Sequence, residues 1–396
     1  MAADKKGVLT GTHFLSGNEA LIEGAFAAGC RFLGVYPIVP SLEAVDRFLE
    51  RSAEIGATFV QMEDEISTLA AVLGASWTGK KSLSITSGSG LSNMMEHVGL
   101  GVMLQTPCVI VDVQCTGPSI GIPHGVSQGD VMQARWGSHG DYEIIAFSPN
   151  SPQECFELMI KAFNMSERFR VPVFILTDEL IAHTKEKVVI PSAKDIKIQP
   201  RKLFKGKKNK YLPYKMDKDL IPPMVIIGEG YRFHVTGLTH DDRGYPVMNA
   251  ECQEYCVRPL LEKIKKYEDE IIEFEKYETE DADVIVLYFG ATSQAVKKAI
   301  ELAKREKIKV GGFRPLVIWP FPEKRTRELA KKVKAFIVPE INFGQIVYEV
   351  ERCVSGNCNV YSLPLAGGAV HNPEDISRAI IKADKENRRI DKIIEC

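Results

Sequence analysis

The sequence predicts an α/β protein in which a doubly wound, largely parallel sheet is followed by a second α/β unit. Three observations carry this. Strand-like and helix-like segments alternate through residues 1–190. Several of the strand-like segments are near-continuous apolar runs, as in strands covered by helices on both faces. The alternation lapses over a polar stretch and resumes at Asp283.

Asn18 to Gly29 reads as a helix with small residues on one face. Phe32-Leu33-Gly34-Val35-Tyr36 reads as a buried strand stopped by Pro37 and Pro40. A helix follows over Leu42 to Ser52. The β-like run Ala57-Thr58-Phe59-Val60 then leads through Gln61-Met62-Glu63-Asp64-Glu65 into a small-residue helix, Ile66 to Ala75. Ser82 to Thr86 is a strand, followed by a Gly-rich turn and a helix from Leu91. Cys108 to Val113 is an apolar strand, and a helix near Ser151 to Phe169 precedes the strand Val173 to Thr177. Lys194 to Lys218 is Lys-rich, lacks apolar periodicity and reads as an exposed connection. Gly228 to Pro246 reads as a long polar loop, and Leu260 to Tyr277 as a charged helix. In the second unit, strands are expected at Val284 to Gly290, Lys309 to Phe313 and Ala335 to Glu340. Helices are expected at Thr292 to Lys304 and Lys324 to Lys334, with Pro320-Phe321-Pro322 as a break. These limits divide the chain into residues 1–192, a connecting arm and loop region over 193–280, and a second unit over 281–396.

Composition narrows the function classes. The 396 residues are 45% hydrophobic and 26% charged, which suits two or three domains with ordinary cores. A formal net charge of −2 argues against nucleic acid or anionic membrane as the main partner. No apolar run reaches the roughly 18 residues of a spanning helix. The first residues carry no apolar segment behind their basic ones, so no signal peptide is expected and the cytoplasm is the expected compartment. The nine cysteines, Cys396 included, form no C-x-x-C pair and match neither zinc nor cluster spacing, so no metal site is expected in this chain.

Chemistry concentrates where strands give way to loops. Glu65 closes the acidic segment after the Ala57–Val60 run. A carboxyl group at a strand's C-terminal end stands where open α/β sheets place their sites. Thiamine diphosphate needs such a group, because a Glu bonded to N1′ of its aminopyrimidine favours the imino form that removes the C2 proton. Glu65 could also be only an acidic first turn that complements the helix dipole. Three further segments line the same predicted sheet edge: Tyr36-Pro37-Ile38-Val39-Pro40-Ser41, Thr86-Ser87-Gly88-Ser89-Gly90 and Val113 to Ser119. The first could be only a strand exit. The second could be only a helix cap, and it lacks the Lys of a nucleotide-binding phosphate loop.

Taken together, these segments resemble the α subunit of 2-oxoacid:ferredoxin oxidoreductases, most closely the 2-oxoglutarate type. The matching stretches are Gly17-Asn18-Glu19-Ala20, Tyr36-Pro37-Ile38, Gln61 to Glu65, Gln128-Gly129-Asp130, Ala134 to Tyr142 and Thr177-Asp178-Glu179. Gly228 to His240, Trp319 to Pro322 and Val338-Pro339-Glu340 also match. The resemblance implies a pyrimidine-type thiamine diphosphate-binding domain followed by a transketolase C-terminal-like domain. It makes Glu65 the activating carboxylate and sets Tyr36, Pro37, Ile38, Ser87 and Gly88 against the cofactor. It implies a β subunit carrying the Mg²⁺–diphosphate site and a [4Fe-4S] cluster, with ferredoxin as electron acceptor and coenzyme A as cosubstrate. Further γ and δ subunits are optional members of such assemblies. The reaction implied is oxidative decarboxylation of a 2-oxoacid to acyl-CoA and CO₂, or the reverse carboxylation.

The sequence departs from the family pattern at the expected substrate pocket, formed by Val39, Pro40, Cys115, Thr116, Ser119, His124, Arg135 and His139. Val39 stands where most members have Thr, and Cys115 where most have an Arg suited to clamp a carboxylate. Ile120 replaces a further Thr. The pocket is therefore less polar, and His124, Arg135 and His139 are alternative holds for the carboxylate. Cys115 could instead react as a thiolate. A paralogue with altered chemistry and a purely structural subunit remain alternatives at this stage.

Overall fold

The computed structural model describes residues 1–386 and 392–393. The chain begins with β1 (Gly11–Ser16), whose Ser16 forms a capping box with Glu19 at the start of α1 (Gly17–Ala27). Then come β2 (Cys30–Val35), α2 (Leu42–Ile55), β3 (Thr58–Gln61), α3 (Glu65–Trp77), β4 (Lys81–Thr86) and α4 (Gly88–Met103). They are followed by β5 (Cys108–Thr116), β6 (Ile122–Val126), α5 (Val131–Trp136), β7 (Ile145–Phe147), α6 (Pro152–Phe169), β8 (Pro172–Asp178), α7 (Glu179–His183) and β9 (Lys185–Ile190). A long stretch with little regular structure leads to α8 (Ala250–Lys266), α9 (Glu268–Ile271) and β10 (Phe274–Tyr277). The remainder is β11 (Val284–Leu287), α10 (Thr292–Arg305), β12 (Val310–Pro315), β13 (Val317–Trp319), α11 (Glu323–Ala330), β14 (Ala335–Glu340), α12 (Ile346–Val354), β15 (Asn359–Pro364), α13 (Pro373–Lys385) and β16 (Lys392–Ile393).

The first large sheet has the order β13-β7-β8-β5-β4-β2-β3, parallel throughout except for the β13–β7 pair. Side-chain alternation sorts its residues onto two cores. Leu33, Leu83, Ile85, Val109 and Val111 face α1 and α6, whereas Phe32, Ile110, Phe174 and Leu176 face α3 and α4. The strand order reverses at β2, because β3 lies on one side of it and β4 on the other. A crevice at such a switch point, beyond the C-terminal strand ends, is where α/β sheets bind ligands. The exits of β2, β3 and β4 all open there.

The second sheet has the order β10-β12-β11-β14-β15-β16, with α10 and α13 covering one face. Its other face does not end at a boundary. Ile285, Leu287, Phe313 and Phe336 belong to the same buried cluster as Leu69, Leu91 and Phe174 of the first unit. Gln128 adds a polar clamp: its Nε2 donates to Phe289 O at 2.8 Å, while its Oε1 accepts from Ile341 N at 3.1 Å. Asp178 caps α7 and also accepts from Ala291 N at 2.9 Å. Among the described residues, no helix is long and apolar enough to cross a membrane.

Four findings differ from the sequence reading. Strand β13, from beyond residue 281, completes the first sheet, and β10, from before it, joins the second; pairing partners distant in sequence decided both. The helix expected over Leu260 to Tyr277 starts earlier, where Asn249 accepts from Cys252 N, and ends at Lys266, so Phe274–Tyr277 is free to pair with β12. The Gly-rich turn before Leu91 is itself the first turn of α4. The Lys-rich connection is largely exposed, but part of it packs onto the fold. Ile196, Tyr211 and Tyr214 are buried, and Arg201 pairs with Glu167. The fully buried Arg170 donates to the carbonyls of Gln105, Pro213 and Pro222, so part of the arm is held by backbone acceptors. Carbonyl positions leave no trace in residue type.

Arg314, fully buried on β12, pairs with Glu154 on α6 and Glu275 on β10. Removing the cation strands two partly buried carboxylates. Arg314→Met is expected to cost about 3 kcal/mol, read as a lowered urea midpoint, whereas a shift under a few tenths would assign the pair no stabilising role.

Candidate active site

Glu65 is the first residue of α3, yet the capping is done by its neighbour: Asp64 Oδ1 accepts from Ser67 N at 2.7 Å. Glu65 is instead 4% exposed and turned across the crevice. Its Oε2 accepts from Asn93 Nδ2 on α4 at 3.0 Å. Its Oε1 lies close against Gly90. A Cβ there would lie 2.5 Å from Oε1 and 2.1 Å from Thr86 Oγ1, which is itself buried without a partner. A buried carboxylate without a further donor is costly. One oxygen held by Asn93 and the other given no donor by the chain is the arrangement expected of a group that receives a ligand donor.

The turn after β4 supplies the next wall. Ser87 precedes α4 but makes no side-chain cap; its Oγ donates to Val113 O at 2.7 Å and lies 3.2 Å from Cys115 Sγ. Gly88 takes φ +40°, which a side chain rarely adopts. Beyond it opens a cleft of about 670 Å³. Gly88, Asn93, Cys115, Thr116, Ser119 and Asp130 line it from the first unit, and Asn342, Phe343 and Gln345 from the second. The site therefore lies between the two units that the Gln128 clamp holds together.

The predicted residues divide into three groups. Glu65, Ser87, Gly88, Cys115, Thr116 and Ser119 come together at or beside the cleft. Tyr36, Pro37, Ile38, Val39 and Pro40 form the β2 exit, fixed by Asn18 Nδ2 donating to Pro40 O at 3.1 Å, at the switch point but outside the cleft lining. His124, Arg135 and His139 are not brought in. His124 is exposed on β6. Arg135 pairs with Glu143 at 3.1 Å and stacks on Trp136, its guanidinium carbon 3.9 Å from the ring centre, so its charge is already engaged. His139 lines a separate groove with α4, residues 236–239 and α8. Arg135 and His139 therefore stand outside the cleft lining. Sequence reasoning also missed Asn93, whose role no local pattern signals, and Asp130, which stood only as part of a matching stretch.

Burial pushes the Cys115 thiol above its usual range, helped by the charges of Asp112, Asp130 and Glu179, although the Ser87 contact opposes the shift. A thiolate at Cys115 is disfavoured, which weakens the reactive-cysteine reading. Among the described residues, no group of three or more His, Cys, Asp or Glu side chains could hold a metal ion. The residues present thus fit the pyrimidine half of thiamine diphosphate, where a ring nitrogen meets a buried carboxylate, and not its metal–diphosphate half.

A nucleotide-like crevice at the switch point, a buried carboxylate after β3 and a second α/β unit closing the cleft define the thiamine diphosphate-dependent class. Residues 23–256 match the family model for pyruvate flavodoxin/ferredoxin oxidoreductase, thiamine diphosphate-binding, and residues 282–376 match pyruvate:ferredoxin oxidoreductase core domain II. The chain belongs to this 2-oxoacid:ferredoxin oxidoreductase family, as an α-type subunit. It is 46% identical over 374 residues to the 2-oxoglutarate synthase subunit KorA of Methanothermobacter marburgensis, covering 94% of this chain and 99% of that protein. It is 30% identical to the ketoisovalerate oxidoreductase subunit VorB of the same organism, covering 93% and 97%. Among solved structures it resembles the 2-oxoglutarate:ferredoxin oxidoreductase of Magnetococcus marinus, determined with 2-oxoglutarate, coenzyme A and succinyl-CoA bound. The TM-score is 0.89 at 32% identity, over 95% of this chain and 66% of that longer one. A split-gene transketolase shares the fold, with a TM-score of 0.52 at 13% identity.

Gly90→Ala tests the geometry directly. The added methyl must displace Glu65 or Thr86, so thiamine diphosphate affinity is expected to fall at least about tenfold, measured by fluorescence quenching on the assembled protein, with the fold retained by circular dichroism. Unchanged affinity would show that the space beside Glu65 is not where the ring sits.

Proposed function

We propose that this chain supplies the activating half of a thiamine diphosphate site in a 2-oxoacid:ferredoxin oxidoreductase, completed by a partner subunit. The observation that carries the proposal is the buried Glu65 carboxylate, one oxygen of which accepts from Asn93 while the other receives no donor from the chain. When bound, the cofactor supplies an electron sink for the carbon that loses CO₂. Glu65 shares a proton with the ring's N1′ atom, and Asn93 fixes the carboxylate's rotamer so that this contact is preorganised. The β2 exit, Tyr36-Pro37-Ile38, and the Ser87-Gly88 turn shape the cofactor's surroundings. Val39, Pro40, Cys115, Thr116 and Ser119 face the substrate. In this reading residues 1–192 are the pyrimidine-binding domain, 193–280 the connecting region and 281–396 the transketolase C-terminal-like domain.

The chemistry balances with a 2-oxoacid and coenzyme A as reactants. In such a reaction the carboxylate would leave as CO₂, ferredoxin would take up the two electrons, and the coenzyme A thiol would take the acyl group. The relatives named for 2-oxoglutarate favour that acid, while Val39 and Cys115 make this chain's own wall less polar than the Thr and Arg of the family pattern would. The partner is a β subunit bearing Mg²⁺, the diphosphate site and a [4Fe-4S] cluster, with γ and δ subunits as optional additions. Support for its docking face comes from Tyr36, Ile66, Ile120 and Phe343, large apolar side chains between 40% and 81% exposed on segments around the crevice. A purely structural subunit has no use for a buried carboxylate at this position.

Glu65→Gln is expected to abolish viologen reduction by the assembled enzyme, by at least about a hundredfold, while thermal unfolding stays unchanged. A variant retaining a tenth of the activity would overturn the proton-sharing role. Val39→Thr combined with Cys115→Arg is expected to raise kcat/KM for 2-oxoglutarate by about tenfold, since a bidentate guanidinium contact returns to the wall. No gain would remove both positions from the substrate pocket.

A further inference from the structure

Thr86 carries a hydroxyl that no role above uses. It is the last residue of β4 and 0% exposed, and its Oγ1 has no hydrogen-bond partner. Valine has the same shape and suits a strand covered on both faces. A buried hydroxyl is costly unless something accepts its hydrogen, so Thr at this position calls for an acceptor.

The hydroxyl stands beside the Glu65 oxygen that receives no donor. The Cβ that Gly90 lacks would lie 2.1 Å from Thr86 Oγ1 and 2.5 Å from Glu65 Oε1, so both atoms come up against the same side of Gly90. The other donors around them are committed. Asn93 serves Glu65 Oε2, Gly90 N donates to Ser87 O at 2.8 Å, and Ser87 Oγ donates to Val113 O. A free donor and a free acceptor therefore meet at one glycine.

Other takers of the hydrogen are weaker. Asp112 is the Cα partner of Thr86 in the β4–β5 ladder. Burial pushes its carboxyl well above the usual range, and the charge of Asp130 adds to the push, so at neutral pH Asp112 holds a proton of its own. A neutral carboxyl accepts more weakly than a carboxylate. Ser82 and Ser84 share the face of β4 with Thr86 and are also buried without partners. Their ladder partners are Phe32, Gly34 and Ile110, which offer no side-chain acceptor. Glu65 is what sets Thr86 apart from them.

Resting on the thiamine diphosphate reading of Glu65, we propose that Thr86 is a positioning residue for Glu65, its hydroxyl donating to Oε1 of the ionised carboxylate while Asn93 holds Oε2. The two atoms are not bonded in this structure. A hydroxyl hydrogen turns freely about its C–O bond, so a small shift of the Glu65 side chain makes the contact. Donors from two elements, β4 and α4, then fix the plane of the carboxylate, and a fixed carboxylate meets a ring nitrogen without reorganising. Thr86 touches neither cofactor nor substrate and acts only through Glu65.

The test measures binding to the chain assembled with its partner subunit and Mg²⁺, by fluorescence quenching. The ligands are thiamine diphosphate and an analogue with carbon in place of N1′, which cannot bond Glu65. Thr86→Val is expected to weaken thiamine diphosphate binding about tenfold and analogue binding by less than about twofold. Thr86→Ser keeps the hydroxyl and is expected to stay within about threefold of the wild type for both ligands. In viologen reduction, Thr86→Val is expected to lower kcat about tenfold with KM for the 2-oxoacid little changed. Unchanged thiamine diphosphate affinity in Thr86→Val, equal losses for both ligands, or a Thr86→Ser variant as weak as Thr86→Val each overturns the positioning role and leaves the functional reading intact. A wild type that does not distinguish the two ligands removes the contact between Glu65 and the ring, and the functional reading falls with it.

Discussion

The structure depends on keeping one carboxylate out of water without satisfying it. Glu65 is buried at the head of α3, one oxygen held by Asn93 and the other set close against Gly90 with no donor from the chain. A buried charge of this kind is tolerated only when the surrounding fold is stable enough to impose it. The capping box of Asp64 and Ser67 starts the helix without help from Glu65, which releases that side chain for another task. Gly90 leaves out the methyl group that would displace Glu65 or Thr86.

That arrangement survives because the two α/β units are not independent. A single apolar cluster runs from α3 and α4 through the first sheet to one face of the second. Across it, Gln128 joins Phe289 and Ile341, and Asp178 joins Ala291. The cleft is lined from both sides, so its width is set by this packing rather than by loops alone. The second unit thus contributes Asn342, Phe343 and Gln345 to a site whose central acid belongs to the first.

The departures at Val39 and Cys115 gain their meaning from this frame. On a fully cationic wall they would be two lost contacts. Cys115 lines the cleft with Asp130, and none of the cleft-lining residues is Lys, Arg or His, whereas Val39 stands at the β2 exit.

Much was legible in the residue order. Apolar runs such as Cys108 to Val113 and the helix from Ser151 fixed the doubly wound class, because their patterns are local. The placing of Glu65, Ser87, Gly88 and Cys115 at neighbouring strand ends was legible because a strand's C-terminal end is a position along the chain before it is a position in space. The carrying of Arg135 to Glu143 and of His139 to a separate groove was not legible, nor was the meeting of Asp130 with Asp112. The same holds for β13 in the first sheet, the arm wrapped on Arg170, and Asn93 against Glu65. Each of these is a contact between residues distant in sequence, selected by packing and hydrogen-bond geometry. The chain by itself determined which segments form strands and helices and where reactive groups leave them; only the tertiary fold decided which of those groups face one another, because burial and pairing are properties of the closed structure.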